Sequence, residues 1–70
     1  MEITQLRSLV TIVREGSFTA AAEKLFVTEP ALSQQMKALE VELGVPIFER
    51  RGRRLTVTAP GEVVLAHAEQ

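Results

Sequence analysis

SFTAAAEKLFVTEPALSQQMKALEVELG, residues 17–44, encodes two helices with almost nothing between them. Ser17 carries an N-cap side chain, and most residues from Phe18 to about Leu25 are strong helix formers. Phe18, Ala21, Ala22 and Leu25 share one face of that helix. The two alanines are small where they point inward, which predicts a close crossing by another helix. Phe26-Val27 is long enough for a turn only. Thr28 then caps a longer helix. Glu29 in its first turn suits the helix dipole, and Pro30 sits where a missing N–H costs nothing. Leu32, Met36, Leu39 and Leu43 form its buried stripe. Gly44 ends the helix and Pro46 prevents it from resuming. A short helix, a tight turn and a longer helix make a helix-turn-helix.

Upstream, Ile3, Leu6, Val10 and Val13, with Leu9 beside them, predict a helix over residues 2–14 with these positions facing inward. Arg7, Arg14 and Glu15 fall mostly outside, and Gly16 supplies the stop. Downstream, the period changes. Ile47 and Phe48 are apolar, Leu55-Thr56-Val57 alternates, and Arg50-Arg51-Gly52-Arg53-Arg54 lies between them, so residues 47–57 read as a β-hairpin with Gly52 at its tip. Thr58 and Ala59-Pro60 then open a last helix carrying Val63, Val64, Leu65, Ala66 and Ala68. The expected fold is mainly α: a winged helix-turn-helix of three helices plus a short β-hairpin wing over residues 1–57. Residues 58–70 begin a further helix.

Seventy residues allow one small domain. A chain of that length buries only about 60% of its unfolded surface and is marginal alone. There is no Cys, so neither a disulfide framework nor a thiolate metal site is available, and oligomerisation is the remaining way to add stability. No segment reads as a signal peptide or a membrane span, so the expected location is cytoplasmic. Asp, Tyr and Trp are also missing, and His67 is the only histidine, with no metal-spaced partner. The glutamates are scattered along exposed helical faces, and Gly52 and Gly61 lack the spacing of a phosphate loop. We therefore expect neither an enzyme nor a bound cofactor.

The net charge of −1 and a pI near 5.8 argue mildly against a nucleic-acid partner. The distribution argues the other way, because four of the eight basic residues fall in the pentapeptide 50–54. Opposite its apolar stripe, the helix after Thr28 projects Glu29, Pro30, Ser33, Gln34 and Lys37. Gln34 has the donor and acceptor to pair with adenine, Ser33 can bond a base edge or a phosphate, and Lys37 suits a phosphate or guanine. Arg53 and Arg54 could enter a minor groove or grip backbone, and Arg50 and Arg51 suit phosphates. The wing would thus provide the charge that the helix lacks.

These residues resemble the N-terminal DNA-binding domain of LysR-type bacterial transcriptional regulators. The resemblance rests on Ala21-Ala22 with Leu25, on Thr28-Glu29-Pro30-Ala31-Leu32-Ser33, and on Leu39-Glu40-Val41-Glu42-Leu43-Gly44. It continues through Phe48-Glu49-Arg50 and Val57-Thr58-Ala59-Pro60-Gly61, and so spans nearly the whole chain. It implies sequence-specific binding of partly palindromic promoter DNA, to which the projecting face offers Glu29, Pro30, Ser33, Gln34 and Lys37 at the bases, with Glu29 alternatively only a helix-start carboxylate. Ser17, Thr28, Arg50, Arg51, Arg53 and Arg54 would meet backbone or minor groove. It also implies a homodimer through the helix that begins at Thr58, using Val63, Val64, Leu65 and Ala68. A small-molecule effector would act through a C-terminal domain outside these 70 residues. Two positions depart from the family pattern. Residue 29 is commonly Gln and is Glu here, and Val57 stands where Leu is usual. A carboxylate only accepts hydrogen bonds, so at a base edge it would favour the cytosine N4 donor. The alternative reading is a winged-helix protein-interaction module without DNA binding, motivated by the acidic balance and Glu29. The arginine pentapeptide argues against it.

Overall fold

The structure, a computed structural model, describes residues 2–52 and 54–69. The elements run α1 (Ile3–Glu15), α2 (Phe18–Leu25), α3 (Glu29–Leu43), β1 (Phe48–Arg51), β2 (Arg54–Val57) and α4 (Ala59–Ala68). Among the described residues no helix is long and apolar enough to cross a membrane.

Three of the four helices start where a hydroxyl can satisfy an orphan backbone N–H. Ser17 Oγ accepts from the Ala20 N–H at 3.0 Å, Thr28 Oγ1 from Ala31 at 3.2 Å and Thr58 Oγ1 from Gly61 at 3.0 Å. The connection between α2 and α3 is a Schellman turn. Val27 N–H donates to the Ala22 carbonyl and Phe26 N–H to that of Glu23. Its left-handed position is held by Phe26, at φ 57°, instead of glycine. The Phe26 side chain is 94% exposed, so no burial offsets that strain.

Leu9, Ile12, Ala21, Ala22, Leu32, Met36, Leu39, Ile47 and Leu65 form one buried cluster. The alanines of α2 are buried in this cluster, where α2 packs against α1 and α3. The α3 stripe is buried at Leu32, Met36 and Leu39 and half-buried at Leu43. In α1 the inward face is rotated from the expected one. Leu9 and Ile12 are fully buried, whereas Ile3 is 74% exposed. Because α1 packs against α2, α3 and α4, the residues entering the gap between these helices take the centre, and Ile3, Leu6 and Val10 lie at the margin. Ser8, also buried on this face, donates to Gln35 Oε1 of α3 at 2.7 Å.

The hairpin pairs Phe48 with Val57, Glu49 with Thr56, Arg50 with Leu55 and Arg51 with Arg54. Gly52 provides the positive φ (64°) that a two-residue hairpin turn requires at its first position. Side chains alternate along each strand, so Phe48, Arg50, Leu55 and Val57 share one face, and Glu49, Arg51, Arg54 and Thr56 the other. The first face packs on the helices. The Phe48 ring meets that of Phe18 edge-on at 5.4 Å.

The root of the wing is fastened by polar contacts. Glu40 Oε2 of α3 accepts from the Ile47 N–H at 2.7 Å and, more weakly, from that of Phe48 at 3.4 Å. Thr58 N–H donates to the Ile47 carbonyl at 2.9 Å, and the Thr58 hydroxyl donates to the Pro46 carbonyl at 2.6 Å. Gly61 lies directly against this strap. A Cβ there would sit 2.5 Å from the Ile47 carbonyl oxygen and 2.8 Å from Val57 Cγ1.

Candidate nucleic-acid interface

Helix α3 presents two neighbouring rows of side chains. Pro30, Gln34 and Lys37, spaced i, i+4, i+7, are all exposed and define the outermost row. Glu29 and Ser33, one helical turn apart, lie beside it towards α2 and the wing. Glu29 is exposed and Ser33 half-buried. A hollow of about 160 Å³ separates α3 from the hairpin, and Ser33, Lys37 and Arg50 line it together with Phe18 and Phe48. The wing and the polar rows of α3 therefore open onto the same side of the domain.

The arginine cluster divides by strand geometry. Arg50 belongs to the packed face, with its guanidinium carbon 5.8 Å from the centroid of the Phe18 ring. That is cation–π range, and it aims Arg50 towards α2 and α3. Arg51 and Arg54 face away from the helices. Arg51 lies 3.8 Å from Glu49, an exposed pair of little energetic weight. Arg53 lies outside the described residues.

Ser17 and Thr28 both use their oxygen as a helix cap. Each hydroxyl still has its own proton to donate, so the capping role does not remove the capacity to bond an anion. Glu29 is tied from outside its own helix, because the Thr19 hydroxyl of α2 donates to Glu29 Oε2 at 3.0 Å.

The four residues assigned to a dimer face do not lie together. Leu65 is buried in the core cluster and Val64 packs against that cluster, whereas Val63 is 60% exposed. At 100° per residue, positions 63, 64 and 65 spread over more than half of the helix circumference, so one helix cannot turn all of them outward. Ala68 is half-buried beside an open hollow between α1 and α4, where Ile3, Leu6, Val10 and His67 also contribute. His67 is exposed, and its Nδ1 is 2.9 Å from the Val63 carbonyl oxygen. Among the described residues no group of three or more His, Cys, Asp or Glu is placed to hold a metal ion.

Sequence reasoning alone missed Thr19, Glu40 and the Phe18–Arg50 contact. Each joins residues from separate elements, 10, 7 and 32 positions apart, and none carries a local signal beyond its helical or strand periodicity.

This geometry has counterparts among known proteins. Residues 3–62 match the family model described as bacterial regulatory helix-turn-helix protein, LysR family. The chain is 49% identical over 61 residues to the HTH-type transcriptional activator CmpR of Synechocystis sp., covering 87% of this chain and 20% of that protein. It is 44% identical over 70 residues to the HTH-type transcriptional regulator CfxR of Cupriavidus necator, covering all of this chain and 22% of that one. The chain thus spans about a fifth of the length of these curated relatives. Among solved structures, the BenM DNA-binding domain in complex with catB site 1 DNA superposes with a TM-score of 0.92 at 42% identity, covering 99% of this chain and 78% of that one.

Proposed function

Since the chain belongs to the LysR family of bacterial regulatory helix-turn-helix proteins, we propose that it is the module with which a bacterial transcription regulator binds specific double-stranded DNA. One observation carries this reading: Ser33 and Lys37, one from each polar row of α3, line the same hollow as Arg50 of the wing. A major groove about 12 Å wide admits a helix, and a helix seated there by its Pro30–Gln34–Lys37 row brings the wing alongside the flanking backbone. The solved complex of the BenM domain with DNA supports this arrangement.

On this reading Gln34 reads adenine with its paired donor and acceptor, and Pro30 contributes an apolar contact. Ser33 and Lys37 take a base edge or a phosphate. Ser17 and Thr28 donate their free hydroxyl protons to backbone oxygens. Arg50, Arg51, Arg53 and Arg54 supply the cationic field that the acidic remainder of the chain withholds, at phosphates or in a narrow minor groove.

The partner across a partly palindromic site is a second copy of the chain. Helix α4, which starts at Ala59, begins the connection that joins the two copies. The exposed Val63 and the hollow containing Ala68, Ile3 and His67 are the apolar surface available for that contact. A small-molecule effector acts through a further domain of the regulator, in the cytoplasm.

A salt titration of duplex binding tests the reading. Affinity should fall steeply, by about 0.9 log units per log unit of salt for each phosphate neutralised. Absence of binding at low salt to fragments that carry a promoter of the regulator would instead favour the protein-interaction module.

A further inference from the structure

We propose that Thr19 is a specificity-positioning residue: by holding Glu29 Oε2, it leaves Oε1 aimed at one base edge, where it selects cytosine. The inference deepens the DNA-binding reading and rests on it.

The contact has the properties such a role requires. A carboxylate only accepts, so the Thr19 hydroxyl must be the donor in the 3.0 Å bond. Thr is β-branched and stiff at χ1, and its helix is locked against the core through the buried Ala21 and Ala22. In a helix Thr divides between two χ1 rotamers, so the donor is restricted to few positions, and it lies outside the helix that carries the acceptor. Among the described residues Oε1 takes no hydrogen bond, and no cation lies within ion-pair distance of Glu29. Arg50, which shares a small hollow with Thr19 and Glu29, is drawn instead over the Phe18 ring.

An uncompensated carboxylate on a surface that meets DNA is repelled by every phosphate. Its place in the first turn of α3 suits the helix dipole, and against DNA the repulsion is offset when the free oxygen meets a base donor. In the major groove cytosine offers N4–H₂ without an adjacent acceptor. Adenine offers N6–H₂ beside the N7 acceptor, and guanine N7/O6 and thymine O4 are acceptors. A tethered Oε1 thus ranks cytosine first and disfavours guanine and thymine. Were residue 29 Gln, the same Thr19 donor would occupy the amide oxygen and turn the NH₂ outward. The exposed group would then be a donor, and the preference would move to acceptor-bearing edges. The Thr19 hydroxyl makes position 29 a one-atom selector whose sign depends on whether that atom is O or N.

The test is selection from a duplex library with a randomised core, for the wild-type chain, Thr19→Val, Thr19→Ser and Glu29→Gln. Competition between duplexes differing at the one affected base pair follows, with thermal melting to confirm that each variant folds. The wild type and Thr19→Ser should both prefer cytosine at one position of each half-site. Thr19→Val should lose about tenfold of that preference over thymine while binding the thymine duplex nearly unchanged. Glu29→Gln should move the preference at that same position to an acceptor-bearing base. The proposal is overturned if Thr19→Val weakens all duplexes alike, if Thr19→Ser behaves as Thr19→Val, or if Glu29→Gln leaves the selected sequence unchanged. An enriched site without a cytosine-sensitive position overturns this inference and leaves the DNA-binding reading intact. No enriched site at all removes both.

Discussion

At the scale of single residues, two positions report on the fold and one on recognition. Gly61 is buried against the Ile47 carbonyl and Val57, and an added Cβ would meet backbone at 2.5 Å, where nothing can swing aside. Gly61→Ala should therefore cost about 1–3 kcal/mol, as overpacking does. For a domain this small that is a drop of several degrees in Tm by calorimetry. Phe26 has the reverse problem. It holds a left-handed backbone that costs a non-glycine residue about 1 kcal/mol, and its ring is exposed. Phe26→Gly should leave stability unchanged or raise it by up to ~1 kcal/mol, the relief of strain competing with a more flexible unfolded chain. A clear loss in chemical denaturation would mean that the ring packs somewhere in the folded protein. Gln34 lies in the outermost row of α3. Gln34→Ala should cost about 1–3 kcal/mol of binding at a single base position and relax the preference there. Equal weakening on all sequences would reassign it to the backbone.

At the scale of elements, one side chain of α3 helps to fasten the wing. Glu40 satisfies the N–H groups of Ile47 and Phe48 just where the chain leaves the helices for the hairpin. Glu40→Ala strands a partly buried donor at the wing root and should destabilise the fold by about 1–3 kcal/mol. Glu40→Gln keeps an acceptor and should lose less. If hydrogen exchange at Ile47 is as slow in Glu40→Ala as in the wild type, the wing is held by other means. The helices themselves were legible in the sequence because their ends carry local chemistry. Ser17, Thr28 and Thr58 cap as their side chains suggest, Gly16 and Gly44 terminate, and Gly52 turns the hairpin. The rotation of α1 was not legible. Its apolar residues span more than one row, and only the positions of three other helices decide that Leu9 and Ile12, not Ile3, enter the core. The candidate site divides in the same way. Periodicity alone brings out the Pro30–Gln34–Lys37 row. The Thr19–Glu29 bond and the seat of Arg50 on Phe18 exist only after α2, α3 and the wing have docked. Likewise, Val63, Val64 and Leu65 are equally apolar in sequence, and the fold alone determines which of them remains exposed.

At the scale of the whole molecule, charge and shape act together. The domain carries a net charge of −1, yet half of its basic residues are concentrated in five positions at the wing. On the proposed function, DNA is held through a directed patch, not a general positive field, so the salt dependence should track the wing. Replacing Arg51 and Arg54 by Ala should weaken binding to all sequences similarly and reduce the salt slope by about 1 for each phosphate that is no longer neutralised. The functional proposal reduces to a division of labour in which α3 selects sequence while the wing positions it. Selection of binding sites from random duplexes separates the two roles. The expected outcome is an enriched, partly palindromic sequence whose specified positions change with Gln34→Ala and not with Arg54→Ala. Recovery of no preferred sequence, or of a preference that follows the wing arginines and ignores α3, would contradict it.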